Sequence, residues 1–338
     1  MKVGIAGIGF MGWIHWLAYD RTQQTQVVAI ASRDEKKRSG DWTSIEGNFP
    51  PAGEQVDLSA VHCHETFDQL LADDEVEVVD ICLPPAMHCD AAIQALQAGK
   101  HAFVEKPMAL TTDECDRMVD AAKQAGRQVL VGHVLPFFPE YTHALKLARD
   151  KTYGKLLGGS FKRIISNPTW IPDFYNASRV GGPLVDLHVH DAHLICLLFG
   201  RPSGVSSRGR MRGDVVEFCH SLFDFADQDY TVHAVSGVIH QQSRPFTHGF
   251  ELFFEGATLH YDLGGVPLTI YDGDGSTVAE LEGGDSVTAF EHEVKEVAAA
   301  VDGGQDSPLL SGSLARDAII LCHKQTESVQ SGQRVAIA

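Results

Sequence analysis

Between Gly181 and Gly200 the chain reads Gly-Gly-Pro-Leu-Val-Asp-Leu-His-Val-His-Asp-Ala-His-Leu-Ile-Cys-Leu-Leu-Phe-Gly. At about 100° per residue, Asp186, His190 and His193 fall on one helical stripe and His188 points almost to the opposite side. A carboxylate and imidazoles at that spacing suit proton exchange with a bound hydroxyl. The plainer alternative is an Asp and a His that only satisfy each other. The glycine pair gives a permissive lead-in, Pro183 suits a first helical turn, and Gly200 followed by Pro202 ends the segment. The rest of the segment is apolar, so the helix should be buried and its polar stripe should meet partners or a cleft.

A second chemical residue, Lys106, stands in Glu105-Lys106-Pro107, directly after the apolar run His101–Val104. What surrounds it is a winding of strands and helices. Lys2–Ala6 reads as a strand, followed at once by Gly7-Ile8-Gly9-Phe10-Met11-Gly12 and a helix-compatible segment. In a GxGxxG turn the first glycine permits the turn, the second lets backbone approach a pyrophosphate, the third lets the helix pack on the strand, and helix N–H groups face phosphate. A second strand, Val27–Ala31, follows at βαβ spacing and ends in Ser32-Arg33 rather than in an acidic residue. A hydroxyl and a guanidinium there favour NADP over NAD, with Asp34 or Glu35 as the alternative that would reach an unphosphorylated ribose. Strands at 76–83, 101–104 and 128–132 alternate with helices at 66–71, 87–98 and 112–125, which predicts a doubly wound parallel sheet over residues 1–133. Ligands of such sheets bind beyond the strand carboxyl ends, which places Leu83, Pro84, His88, Glu105 and Lys106 at the cofactor edge.

Beyond residue 133 the pattern changes to a helix at 141–149 and a series of longer strands at 156–165, 202–212, 215–225, 229–240, 248–255, 257–262 and 267–272, closed by helices at 290–301 and 313–329. Residues 134–338 are expected to form an α+β domain on a large, mainly antiparallel open sheet, with one face covered. An open face of that size predicts a homodimer or homotetramer.

With 338 residues the chain exceeds what one core ordinarily supports, and 44% apolar with 21% charged residues is globular composition. A formal charge of −18 argues against nucleic-acid or anionic-membrane surfaces. No apolar run approaches a membrane span and none resembles a leader, so a cytoplasmic protein with no membrane partner is expected. Seven scattered cysteines without a Cys-x-x-Cys pair signal neither a disulfide framework nor a zinc site. His62-Cys63-His64-Glu65 has ligand-type residues but no second spaced set, so no metal is expected.

Taken together, GxGxxG at 7–12, Pro84-Pro85-Ala86-Met87-His88, Glu105-Lys106-Pro107, and Gly181-Gly182-Pro183-Leu184-Val185-Asp186 leading to His190 resemble the Gfo/Idh/MocA oxidoreductases along essentially the whole chain. The resemblance implies that Lys106 is the active-site lysine, Asp186 a substrate-positioning carboxylate and His190 the acid/base, with Pro84, His88 and Glu105 by the cofactor cleft. Two departures, Leu135-Pro136-Phe137 where many members carry Arg and His193 where many carry Asp, bear on substrate preference. His133, Arg163, Trp170, Tyr175 and His193 are the candidate substrate contacts, aromatic and polar groups suited to a sugar or cyclitol. The expected function is hydride transfer between NADP(H) or NAD(H) and a polyhydroxy compound. The alternatives are a non-catalytic nucleotide-binding regulator and a glycosidase-like member with internally recycled cofactor.

Overall fold

Short apolar runs of β-branched residues flanked by capped helices dictate the order of the first elements. In the computed structural model, which describes every residue except Trp170, Pro172, Asp227 and Ala338, these are β1 (Lys2–Ala6), α1 (Phe10–Asp20), β2 (Gln26–Ala31), α2 (Glu35–Arg38), β3 (His62–His64), α3 (Phe67–Leu71), β4 (Val78–Ile81), α4 (His88–Gln97), β5 (His101–Glu105), α5 (Thr112–Ala125) and β6 (Val129–Gly132). They are followed by α6 (Pro139–Asp150), β7 (Leu156–Ser166), α7 (Val189–Phe199), β8 (Gly204–Arg212), β9 (Val215–Asp224), β10 (Thr231–Ile239), β11 (Thr247–Phe254), β12 (Ala257–Asp262), β13 (Val266–Asp272), β14 (Gly275–Val278), α8 (Thr288–Gly303), α9 (Gly312–Ser331) and β15 (Arg334–Ala336). No described helix is long and apolar enough to cross a membrane.

The chain divides into two compact units, one of Met1–Phe137 with Gly283–Arg316, the other of Phe138–Glu282 with the residues from Asp317 onward. A contiguous break after residue 133 is therefore corrected: residues 283–316 return to the first unit. The reason lies in side chains that only that unit buries. Phe290 stacks on Phe49 at 5.9 Å, Glu293 is fully buried, and the Val131 N–H donates to the Leu310 carbonyl.

In the first unit six parallel strands run in the order β3-β2-β1-β4-β5-β6. Crossover helices cover both faces, so Val3, Ile5, Ile30, Val79, Ile81, Phe103, Val104 and Val131 are buried and the strands read as continuous apolar runs rather than alternating ones. Thr66 with Gln69 and Thr111 with Glu114 close capping boxes at α3 and α5.

The second unit holds a nine-stranded sheet in the order β14-β13-β12-β11-β7-β10-β9-β8-β15. The β7–β10 pair is parallel and the other pairings are antiparallel. Burial alternates along β11 and β12, as expected of a sheet with one covered face. The edge strands β14 and β15, and β3 in the first unit, are absent from the sequence expectation because each is only three or four residues long, too short for an alternating pattern to show.

Candidate active site

The glycine-rich turn has the shape a dinucleotide requires. Gly7 adopts φ +96°, and a Cβ on Gly12 would stand 2.3 Å from the Gly7 carbonyl oxygen, so the third glycine is what lets α1 start this close to β1. A Cβ on Gly9 would meet nothing within 4 Å, which leaves room where the pyrophosphate belongs. No side chain caps α1 and its first turn, Phe10 and Met11 included, carries no acidic residue, so its N–H groups are available to an anion. At the end of β2, Ser32 is half-buried and Arg33 exposed. Asp34 spends its carboxylate on capping α2 through the Lys36 N–H at 2.9 Å. The Lys37 ammonium donates to the Ile8 carbonyl at 2.5 Å, which sets a cation against the glycine turn. These residues fit the phosphates of a dinucleotide.

Two turns at the strand carboxyl ends are tied together by His88. Its ring nitrogens lie 2.7 Å from the Leu83 carbonyl and 2.8 Å from the Pro107 carbonyl. Burial is the largest influence on this imidazole and draws its pKa down, against the two carbonyls, which favour the charged ring. His88 is thus a clamp on the turns after β4 and β5, with Pro84 at the outer edge. From Ala102 to Leu110 every residue is buried except Lys106, whose peptide bond to Pro107 is cis.

Behind Lys106 lies a buried ionic network that the sequence pattern did not reveal. Burial opposes charge on His15, but Asp80 beside it prevails and holds the imidazole pKa well above its ordinary value. Its Nδ1–H donates to Asp80 Oδ2 at 2.9 Å, and the Tyr19 hydroxyl donates to the same oxygen at 2.9 Å. Nε2 stands 3.1 Å from Glu105 Oε1, off the axis of a good hydrogen bond, so the contact with the Glu-Lys-Pro turn is mainly electrostatic. Glu293 of α8 completes the group, with neither oxygen hydrogen-bonded within the described chain. The one available signal was Asp80 itself, a carboxylate inside an apolar strand, which demands a partner.

In the second unit the segment from Gly182 is helical, but Leu184–His188 forms a π-helical turn before α7 begins, a wide turn often found where a helix carries function. From Gly182 to Cys196 only Asp186 and His190 are part-exposed; all their neighbours are buried. His193, expected on the same stripe, is instead fully buried. His188 faces the core: the Gln325 amide donates to its Nε2 at 3.1 Å, and its Nδ1 is 3.5 Å from Asp191.

The remaining sequence candidates divide. Arg163 does not present its guanidinium to a ligand, because Nε and Nη2 donate to the two oxygens of Asp191 at 2.8 and 3.0 Å in a pair almost closed to water. Burial raises the Asp191 pKa, but the guanidinium outweighs it and holds this carboxyl at about 2. That bidentate pair fixes the residue after His190 to the centre of the sheet. His133 is fully buried. Tyr175 is half-buried, donates to Asn167 Oδ1 at 2.6 Å and carries the Arg212 guanidinium over its ring at 3.7 Å, so it sits in a small polar depression with Asn176 and Asp214. Trp170 lies outside the described residues.

Residues 1–133 match the family model GFO_IDH_MocA, described as an oxidoreductase family with an NAD-binding Rossmann fold. Over 192 residues the chain is 31% identical to an inositol 2-dehydrogenase/D-chiro-inositol 3-dehydrogenase of Lactiplantibacillus plantarum, covering 56% of this chain and 50% of that one. It is 28% identical over 161 residues to a glycosyl hydrolase family 109 protein of Shewanella pealeana, covering 47% and 34%. The chain therefore spans about half or less of the curated relatives it matches. A solved levoglucosan dehydrogenase in complex with NADH shares the fold with a TM-score of 0.83 at 19% identity, over 100% of this chain and 99% of that one. Residues 1–133 thus match the NAD-binding Rossmann part of that oxidoreductase family, and the whole chain shares the fold of the levoglucosan dehydrogenase, in agreement with the motifs.

Proposed function

We propose that the chain is a nicotinamide-dependent oxidoreductase that moves a hydride between NADP(H), or less favourably NAD(H), and a sugar, cyclitol or related polyhydroxy substrate. The observation that carries this reading is selective exposure: Lys106 in one buried stretch, and Asp186 with His190 in another, are the residues that reach toward solvent. From Gly182 to Cys196 the other residues are buried, so the part-exposed carboxylate and imidazole are the groups open to a ligand.

A bound nicotinamide supplies the hydride chemistry. The rest falls to the chain's own residues. His190 exchanges the proton of the reacting hydroxyl, a task suited to an imidazole, whose ordinary titration range is near neutrality. The Lys106 ammonium stabilises negative charge developing on that oxygen, worth a few kcal/mol in a site that excludes water. Asp186 accepts a hydrogen bond from a neighbouring hydroxyl or orients His190. Ser32 and Arg33 favour a 2′-phosphate, although the levoglucosan dehydrogenase was solved with NADH. The experiment is a panel of sugars and cyclitols followed at 340 nm with both nucleotides. Turnover with one substrate class and tighter NADP(H) than NAD(H) is expected; no turnover with any polyhydroxy compound contradicts the reading.

The glycosyl hydrolase family 109 relative supports a second reading, in which nucleotide is retained and recycled within each turnover. Glycoside hydrolysis without net change at 340 nm distinguishes it. We also propose association through the open face of the nine-stranded sheet, where Leu222 and Tyr271 are exposed. Light scattering that returns only the monomer mass rejects this. Free cysteines throughout the described chain suit the cytoplasm as its compartment.

A further inference from the structure

On the outer edge of the parallel sheet, β3 carries His62 and His64 two residues apart, hence on one face, with Cys63 directed the other way. Asp73, just beyond α3, reaches back to them. Its Oδ2 lies 2.7 Å from His62 Nδ1 and 2.9 Å from His64 Nε2, so two imidazole nitrogens converge on one carboxylate oxygen. The carboxylate is held from behind: Oδ1 accepts the Glu75 N–H at 3.0 Å, and the Lys100 ammonium donates to the Asp73 and Val76 carbonyls at 2.7 and 2.8 Å. The Asp73 side chain is 6% exposed whereas that of His62 is 54% exposed. The cluster is therefore walled on the protein side and open to water on the other.

Two nitrogens and one oxygen, all within 4.8 Å of one another, are the donor set of a borderline divalent ion rather than of calcium or magnesium. Tetrahedral bonds of 2.0–2.2 Å to zinc put neighbouring donors about 3.3 Å apart. Relative to Asp73 Oδ2, each imidazole nitrogen moves outward by about half an ångström to reach that spacing, which the open side allows, and the proton on the ligating nitrogen passes to the other ring nitrogen or to water. The hydrogen bond from Glu75 to the second carboxylate oxygen is the kind of outer contact that orients a ligand. In the other grouping of donor atoms in the described chain, His15, Asp80 and Cys82, the His and the Asp are fully buried and already paired in the ionic network behind Lys106.

We propose that His62, His64 and Asp73 form a surface site for a zinc-class divalent ion, completed by water, which fastens the edge strand β3 to the turn after α3. The His64 carbonyl accepts the Ser32 N–H at 3.0 Å, so the ion braces the strand end beside the residue that closes β2.

The test is equilibrium dialysis of the full chain against Zn²⁺, with Co²⁺ as a spectroscopic probe. The comparison is wild type with His64→Asn, Asp73→Asn and, as a control at another surface histidine, His260→Asn. One equivalent of Zn²⁺ at micromolar concentration is expected for wild type and His260→Asn. Affinity should fall tenfold or more in the other two variants, and the visible absorption of four- or five-coordinate Co²⁺ should disappear with it. If Asp73→Asn misfolds by circular dichroism, His62→Asn, at an exposed side chain, takes its place. No Zn²⁺ uptake by wild type, or equal uptake by all variants, overturns the site.

Discussion

Replacing Arg163 by Ala tests how the helix that carries His190 is held. The guanidinium makes two hydrogen bonds to Asp191, and the two side chains are 5% and 2% exposed. Removing it leaves a carboxylate in the core with His188 as its remaining neighbour of opposite polarity, at 3.5 Å. Breaking one side of a buried pair costs about 3–5 kcal/mol, which for a unit of this size lowers Tm by roughly 6–20 °C. The loss has a pH signature. In the wild type Asp191 titrates at about 2, below its unfolded value, so its contribution is present above about pH 4 and fades as pH falls toward 2. Without the guanidinium the buried carboxyl takes up a proton more readily, so the Tm gap between variant and wild type should be wide at pH 7.5 and narrower at pH 4.5. Thermal melts by circular dichroism at both pH values provide the measurement. An Arg163→Met/Asp191→Leu double variant, which leaves no lone charge, should recover most of the loss. A single variant within 2 °C of wild type, or a gap independent of pH, refutes the reasoning, and a Tm unchanged with turnover abolished returns Arg163 to the substrate.

Two further expectations concern the first unit. Burial, the largest influence, pushes the Glu293 carboxyl well above its usual range, so this group favours the folded state at low pH and loses that contribution as pH rises past its unfolded value of about 4.5. Glu293→Gln should therefore match or exceed wild type in Tm at pH 8 and lose that advantage at pH 5; destabilisation at both would contradict a neutral buried acid. Gly9→Ala, with space around its Cβ, should leave Tm within about 2 °C while weakening nucleotide binding about tenfold, whereas Gly12→Ala, driven against the Gly7 carbonyl, should impair both. Equal binding by Gly9→Ala and wild type, read by nucleotide fluorescence, removes the pyrophosphate from that turn.

Much of this architecture is legible in the chain because it depends on local rules. The turn at 7–12, the alternation of strand and helix, and the apolar segment interrupted by Asp186 and His190 are encoded within windows of a few residues. What escaped depends on pairings distant in sequence. Arg163 reads as a strand-end cation until Asp191 is seen against it. His62 and His64 read as a polar lead-in until Asp73 folds back onto them. The return of Gly283–Arg316 to the first unit follows from side chains of α8 that find their burial around α1, and no periodicity encodes that. The 3.6-residue spacing put His193 on the stripe of Asp186 and His190, whereas the structure buries it, because its surroundings are set by packing within the second unit that no local pattern encodes.

The central claim is that Lys106 and His190 carry the chemistry while the glycine turn binds the nucleotide. The most direct measurement is the rate of absorbance change at 340 nm for Lys106→Ala and His190→Ala on whichever polyhydroxy substrate wild type turns over, alongside nucleotide affinity. Turnover lowered about 10² or more, with nucleotide Kd within a few-fold of wild type, is the predicted result; wild-type-like kcat in either variant would contradict it.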